Sequence, residues 1–143
     1  MFSPTTGYAV RALAFLATRL EGDVPVASVA RHTGLPTPTV GRVIHTLARQ
    51  RLVATRRGPG GGVRLARPAR EISLHDVCIA FDDPLTAERC MLNDAPCSSE
   101  RACPGHAFCR SFRSTQTLFL RQTTLEDVVR SAAPRTAAAE VGA

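Results

Sequence analysis

The chain has 143 residues, 44% of them hydrophobic, which suits one ordinary domain or a small domain with an appendage. No apolar run approaches the roughly 18–20 residues of a membrane span, and residues 1–6 lack the basic start and apolar stretch of a secretion signal. A cytoplasmic protein with no membrane partner is therefore expected. The net charge of +6 favours an anionic partner, nucleic acid above all; every basic side chain is Arg, which suits phosphate and guanine contacts and also follows from a GC-rich genome.

Residues 5–20 read as an amphipathic helix, with Ala9, Ala12, Leu13, Leu16 and Leu20 on one face. Glu21-Gly22-Asp23 ends it, and Val24-Pro25 reads as extended. A short helix is predicted over Val26–Thr33, with Val26, Val29 and Ala30 apolar. Gly34 then permits a tight turn, and Leu35 faces inward after it. Thr37-Pro38 marks the next helix start: a hydroxyl cap, then Pro at the first helical position, where its missing N–H costs nothing. This helix is predicted to reach about Gln50, burying Val40, Val43, Ile44 and Leu47. Two helices joined by a short Gly-containing turn make a helix-turn-helix. Thr37, Thr39, Arg42, His45, Thr46 and Arg49 on its second helix are the candidate DNA contacts, because their side chains can donate to phosphates or base edges in a major groove.

Residues 52–55 and 63–66 are β-prone and flank Arg56-Arg57-Gly58-Pro59-Gly60-Gly61-Gly62, which predicts a hairpin with a glycine tip. Directly after a helix-turn-helix such a hairpin reads as a wing. Gly60 lets its backbone approach DNA closely, and Arg56, Arg57 and Arg64 are candidate phosphate contacts. Residues 72–81 are predicted as a helix capped by Ser73, with Cys78 a buried, inert thiol. Residues 84–105 have little periodicity and form a long loop, and such loops are usually functional. Periodicity returns over His106–Gln122, with Phe108, Phe112, Thr115 and Phe119 on one stripe that needs a partner, so this helix is the expected dimer contact. Thr124 starts a last helix over 125–130, and an Ala-rich tail from Ala132 is expected to be disordered.

Four of the five cysteines lie in Cys90-x6-Cys97-x5-Cys103-x2-His106-x2-Cys109. In a reducing compartment such a cluster points to a metal or redox site, and the odd cysteine count argues against a disulfide frame. Zinc ribbons use Cys-x2-Cys knuckles, which are absent, whereas wider gaps suit an iron–sulfur cluster. Thiolates serve both metals, so a zinc site or a thiol–disulfide switch stays open. Arg89 and Arg101 flank the cysteines as thiolate-favouring charges or as plain solvated ones. Cys109 falls about two turns into the helical region, as a structural thiol, an alternative ligand or a resolving thiol. An electron carrier or redox enzyme would leave the helix-turn-helix and wing unexplained, and no nucleotide-binding glycine motif is present.

These residues resemble the bacterial winged-helix regulators that include the iron–sulfur regulator IscR, the nitric oxide sensor NsrR and the iron regulator RirA. The similarity spans about residues 2–130. It rests on Gly7-Tyr8-Ala9-Val10-Arg11, on Arg57-Gly58-Pro59-Gly60-Gly61-Gly62-Val63, on Ile72-Ser73-Leu74, on the cysteine loop and on Thr124-Leu125-Glu126-Asp127. It implies a homodimeric, double-stranded-DNA-binding transcription regulator, in sense a repressor and not an enzyme, with one cluster per subunit. Cys90, Cys97 and Cys103 match the family's ligands, and His106 matches the histidine ligand of the IscR type, which implies [2Fe–2S] rather than [4Fe–4S]. Cys109 is the alternative fourth ligand. The NsrR type takes an Asp from the position that is Gly7 here, and the first cysteine gap is six residues where IscR-like proteins have five. The expected architecture is mainly α: a winged helix-turn-helix with a two-stranded wing over residues 1–83, a cluster-binding loop over 84–109, a long C-terminal dimerisation helix with a terminal helix over 106–131, and a tail over 132–143.

Overall fold

The computed structural model describes residues 1–92, 95–101 and 103–132. Helix α1 (Pro4–Ala17) starts where the Ser3 hydroxyl accepts from the Thr6 N–H at 3.2 Å, with Pro4 in the first turn. It ends three residues earlier than the sequence suggests. The N–H groups of Thr18 and Arg19 close tight turns onto the carbonyls of Phe15 and Leu16, and Leu20 projects into solvent at 93% exposure. Phe15 is buried instead and stacks on His32, the ring centroids 4.1 Å apart.

Helices α2 (Val26–Thr33) and α3 (Thr37–Arg49) are joined through Gly34, whose φ of +69° is the left-handed conformation that closes the turn. Leu35 packs against the core as expected. The α3 cap is Pro36, not Thr37. The Pro36 carbonyl accepts the first two bonds, from Thr39 and Val40, and Thr37 occupies the first helical position with no capping hydrogen bond from its hydroxyl. The locked φ of Pro36 sets the start one residue early. Val40, Val43, Ile44 and Leu47 are buried, as their spacing predicts.

Strands β1 (Val53–Arg56) and β2 (Gly62–Leu65) pair antiparallel in the register Val53↔Leu65 to Arg56↔Gly62. Val24 bridges the open side of β2: Val24 and Val63 exchange both backbone hydrogen bonds at 2.8 Å. After one turn of 3-10 helix at Ala69–Glu71 comes α4 (Leu74–Ala80). Ser73 and Asp76 close a capping box, at 3.1 and 2.9 Å, that places Ile72 outside the helix. Helix α5 covers His106–Gln122 as predicted, and α6 covers Leu125–Ala132. Ala132, assigned to the tail from sequence, is therefore helical; the rest of that tail lies outside the described residues.

Helix α1 is the axis of the core. It packs on α2, α3, α4, α6 and β2, with Leu13, Leu16, Val29, Leu47, Val63, Val77 and Leu125 all nearly inaccessible. A second cluster of Leu74, Cys78 and Leu120 joins α4 to α5. The fold is that of a winged helix, mainly helical with one two-stranded sheet.

Candidate functional site

Two surfaces carry the candidate residues. On α3, burying the Val40–Leu47 stripe turns Thr37, Arg42, His45 and Arg49 outward, while Thr39 and Thr46 are half-buried on its flanks. The Arg42 guanidinium lies 3.5 Å from the Thr39 hydroxyl, so those two act from one patch. In the wing, Arg56, Arg57, Gly60 and Arg64 are all exposed. Arg56 and Arg64 are already engaged by Asp23, with Nε to Oδ2 at 2.9 Å and Nη1 to Oδ1 at 2.7 Å. Arg56 Nη2 also donates to the Gly60 carbonyl at 2.9 Å. Sequence reasoning took Asp23 only as part of a helix stop. Nothing local signals that it meets a hairpin more than thirty residues away.

The second surface is the cysteine loop. Asp83, only 1% exposed, anchors its start: its carboxylate accepts from the Ser3 N–H at 2.9 Å and the Leu85 N–H at 3.0 Å. Burial pushes this carboxyl up, but hydrogen bonds from the Thr6 and Ser3 hydroxyls and from Leu85 and Ser3 N–H outweigh it and hold it below the usual carboxylate range. Sequence reasoning does not single out Asp83, although Asp83-Pro84, a capping carboxylate before a proline, is a local signal for it. Farther on, Cys90 N–H donates to the Ala95 carbonyl at 3.0 Å and Cys97 N–H to the Glu88 carbonyl at 3.3 Å, which folds the loop back on itself. Arg113 of α5 donates to the Arg89 carbonyl at 2.7 Å, and the Arg101 guanidinium donates to the Pro96 carbonyl.

This arrangement brings Cys97 Sγ to 3.4 Å from His106 Nδ1, at the first residue of α5. Two ligands of one tetrahedral metal, with metal–sulfur near 2.3 Å and metal–nitrogen near 2.0 Å, sit about 3.5 Å apart. Cys109 lies in the first turn of α5, three residues past the predicted start at His106, and not two turns in as the sequence count suggests. It is buried, and its Sγ and that of Cys103 lie 3.8 and 4.0 Å from the point where a Cβ on Gly105 would sit. Among the described residues, no three His, Cys, Asp or Glu side chains converge on one ion position. The residue types suit a thiolate–imidazole centre, but among the described residues only the Cys97–His106 pair stands at ligand spacing, a separation that a thiol–imidazole hydrogen bond also has. Cys78 stands apart in α4, where burial, and then the charge of Asp83, push its thiol up to about 11.

One face of α5 has no cover: Phe108, Phe112, Leu118 and Phe119 are 62, 55, 55 and 58% exposed. Beside it a cleft of about 700 Å³ opens between the loop and α5, lined by Leu85, Met91, Cys109 and Phe112 among others. No helix among the described residues is long and apolar enough to cross a membrane.

Comparison with known proteins converges on one family. Residues 2–131 match the family described as "Rrf2: Iron-dependent Transcriptional regulator". IscR of Photorhabdus laumondii, an HTH-type transcriptional regulator, is 33% identical over 125 residues, 87% of this chain and 76% of the relative. Among solved structures, T. potens IscR superposes with a TM-score of 0.72 at 25% identity, over 91% of this chain and 86% of that one. CymR, the global cysteine regulator of B. subtilis, superposes with a TM-score of 0.78 at 20% identity, over 92% and 97%. The chain therefore belongs to the Rrf2 family of winged-helix transcriptional regulators, DNA-binding proteins rather than enzymes.

Proposed function

We propose that this regulator binds promoter DNA as a homodimer under the control of an iron–sulfur centre held in its cysteine loop. The 3.4 Å approach of Cys97 Sγ to His106 Nδ1 carries the reading, since it sets two unlike soft and borderline donors at the separation of ligands on one metal. Cys90, Cys97, Cys103 and His106 would hold the centre, with Cys109 the alternative to His106. When bound, a [2Fe–2S] group supplies redox, iron or nitric oxide sensitivity.

The chain's own residues do the rest. Thr37, Thr39, Arg42, His45, Thr46 and Arg49 of α3 enter the major groove, and the wing, through Arg57 and the Gly60 backbone, meets the flanking phosphates. The α5 stripe of Phe108, Phe112, Leu118 and Phe119 pairs with its copy, so that two α3 helices address half-sites about 34 Å apart. Ligation of Cys97 and His106 would order the 84–109 segment, and the Asp83 anchor links that segment to the start of α1. The sense of regulation proposed is repression, in the cytoplasm.

A second reading is favoured by the Cys103 and Cys109 thiols, both close to Gly105: the same fold sensing through thiol–disulfide chemistry, or through zinc, without iron. One experiment separates the two. Protein purified without oxygen is assayed for visible absorption, iron and zinc, with and without Cys97→Ala, alongside promoter binding. The cluster reading expects a coloured, iron-bearing wild type whose colour and DNA response are both lost in the variant. A colourless, iron-free sample refutes it.

A further inference from the structure

We infer that Asp23 is the positioning residue of the wing, holding Arg56 and Arg64 as a brace that presets the hairpin for the DNA backbone. The inference rests on the DNA-binding reading above and adds to it a residue outside both the helix-turn-helix and the hairpin.

The Asp23 side chain is only 4% exposed, although both of its partners reach solvent. Its two oxygens are divided between the strands, Oδ1 to Arg64 of β2 and Oδ2 to Arg56 of β1. In the register Ala54↔Arg64 and Arg56↔Gly62 the two arginines share one face of the hairpin, diagonally across the ladder. Arg56 then passes the constraint to the tip through its 2.9 Å bond to the Gly60 carbonyl. The next residue, Val24, is fixed to Val63 by two backbone bonds of 2.8 Å. A Cβ on Gly62 would lie 2.3 Å from the Val24 carbonyl oxygen, so the loop and the hairpin touch backbone to backbone. Side-chain and main-chain contacts therefore tie the wing to the segment that leads directly into α2. The wing is thereby joined to the helix-turn-helix through the segment that precedes α2. Arg57, exposed on the same hairpin, has no carboxylate partner among the described residues and is the wing's uncommitted cation.

Simple electrostatics and positioning make opposite forecasts. An Asp23→Asn chain loses a negative charge next to the DNA phosphates, which by charge alone tightens binding and steepens the salt dependence by about 0.9 in log–log slope. Loss of the brace instead leaves two long arginine side chains and the tip to be ordered at the moment of binding.

The test uses a fluorescent duplex that the full wild-type chain selects from a randomised pool, titrated between about 50 and 300 mM salt. Wild type, Asp23→Asn, Arg56→Gln, the double variant and Arg42→Ala are compared. The inference expects Asp23→Asn to bind roughly 10-fold more weakly at every salt concentration, with a salt slope no shallower than wild type. It also expects Arg56→Gln to cost less when Asp23→Asn is already present than in wild type, a coupling that a general loss of fold would not produce. Binding by Asp23→Asn equal to or tighter than wild type overturns the inference, as does strict additivity with Arg56→Gln. A wild-type chain that selects no duplex, or one indifferent to Arg42→Ala, refutes the DNA-binding reading itself and this inference with it.

Discussion

Replacing Gly62 by Ala tests the join between wing and body directly. The added methyl would sit 2.3 Å from the Val24 carbonyl oxygen and 2.5 Å from its carbon, and both are main-chain atoms that cannot swing aside like a side-chain tip. The loop must back away, which breaks the two 2.8 Å bonds between Val24 and Val63. At about 1 kcal/mol net for each, the loss is about 2 kcal/mol. For a chain of this size 1 kcal/mol moves the melting temperature by about 4 °C, so a drop of about 8 °C is expected. Differential scanning calorimetry measures it at one fixed protein concentration, which keeps the midpoints comparable whatever the state of association. Gly7→Ala is the control: it adds the same methyl to α1 with nothing within 4 Å and gains up to about 1 kcal/mol from helix propensity. A Gly62→Ala chain melting within about 2 °C of wild type would refute the reasoning, since half a kcal/mol leaves no room for two lost bonds.

Two further outcomes are expected. Asp83→Asn keeps the shape but replaces one acceptor oxygen by an NH2 donor, so either the Ser3 or the Leu85 N–H loses its acceptor, costing about 2 kcal/mol at neutral pH. Because the folded carboxyl is held below its ordinary value, its contribution is present in full above the unfolded value of about 3.9 and is lost as pH falls through the folded one. Denaturant melts of the two proteins should thus converge in acid, and a gap that persists or widens there contradicts the assignment. Phe112→Arg places a charge in the middle of the uncovered α5 stripe and is expected to give a folded monomer by sedimentation; a dimer of unchanged affinity would remove α5 from the interface.

The parts readable from sequence are those set by local periodicity. The buried stripe of α3, the span of α2 and the span of α5 follow from apolar spacing alone, and the Ser73 cap follows from its hydroxyl. The misses occur where two local signals compete or where a distant contact decides. The Thr37 hydroxyl marks that residue as the cap, but the cap lies one residue earlier, at Pro36, whose carbonyl takes the first bonds. Leu20 fits the helical stripe of α1 but lies beyond the turns that end it, while Phe15, off that stripe, is buried against His32 from α2. The spacing points to a metal or redox site and the resemblance names the candidate ligands, yet the Cys97–His106 approach depends on how the loop folds back and on the helix starting at His106. Asp23 could not be found by any window, because its partners belong to a hairpin brought alongside by tertiary packing.

Helix α5 is tied through backbone at one end and through side chains at the other. At its C-terminus the Ser73–Thr124 bridge, with the Leu74 N–H to Thr123 and Leu125 N–H to Ile72 bonds of 2.9 Å, clamps it to the start of α4. Its N-terminus leans on the cysteine loop through His106 and Arg113. At 17 residues the helix is about 25 Å long, so a tilt of about 5° about the clamp moves the His106 end by about 2 Å and the Leu118–Phe119 end by much less. Phe108 and Phe112 ride on the end that travels. A shift of the His106 end is therefore passed on to Phe108 almost whole and to Phe112 in smaller measure, while the Leu118–Phe119 end, next to the pivot, barely moves.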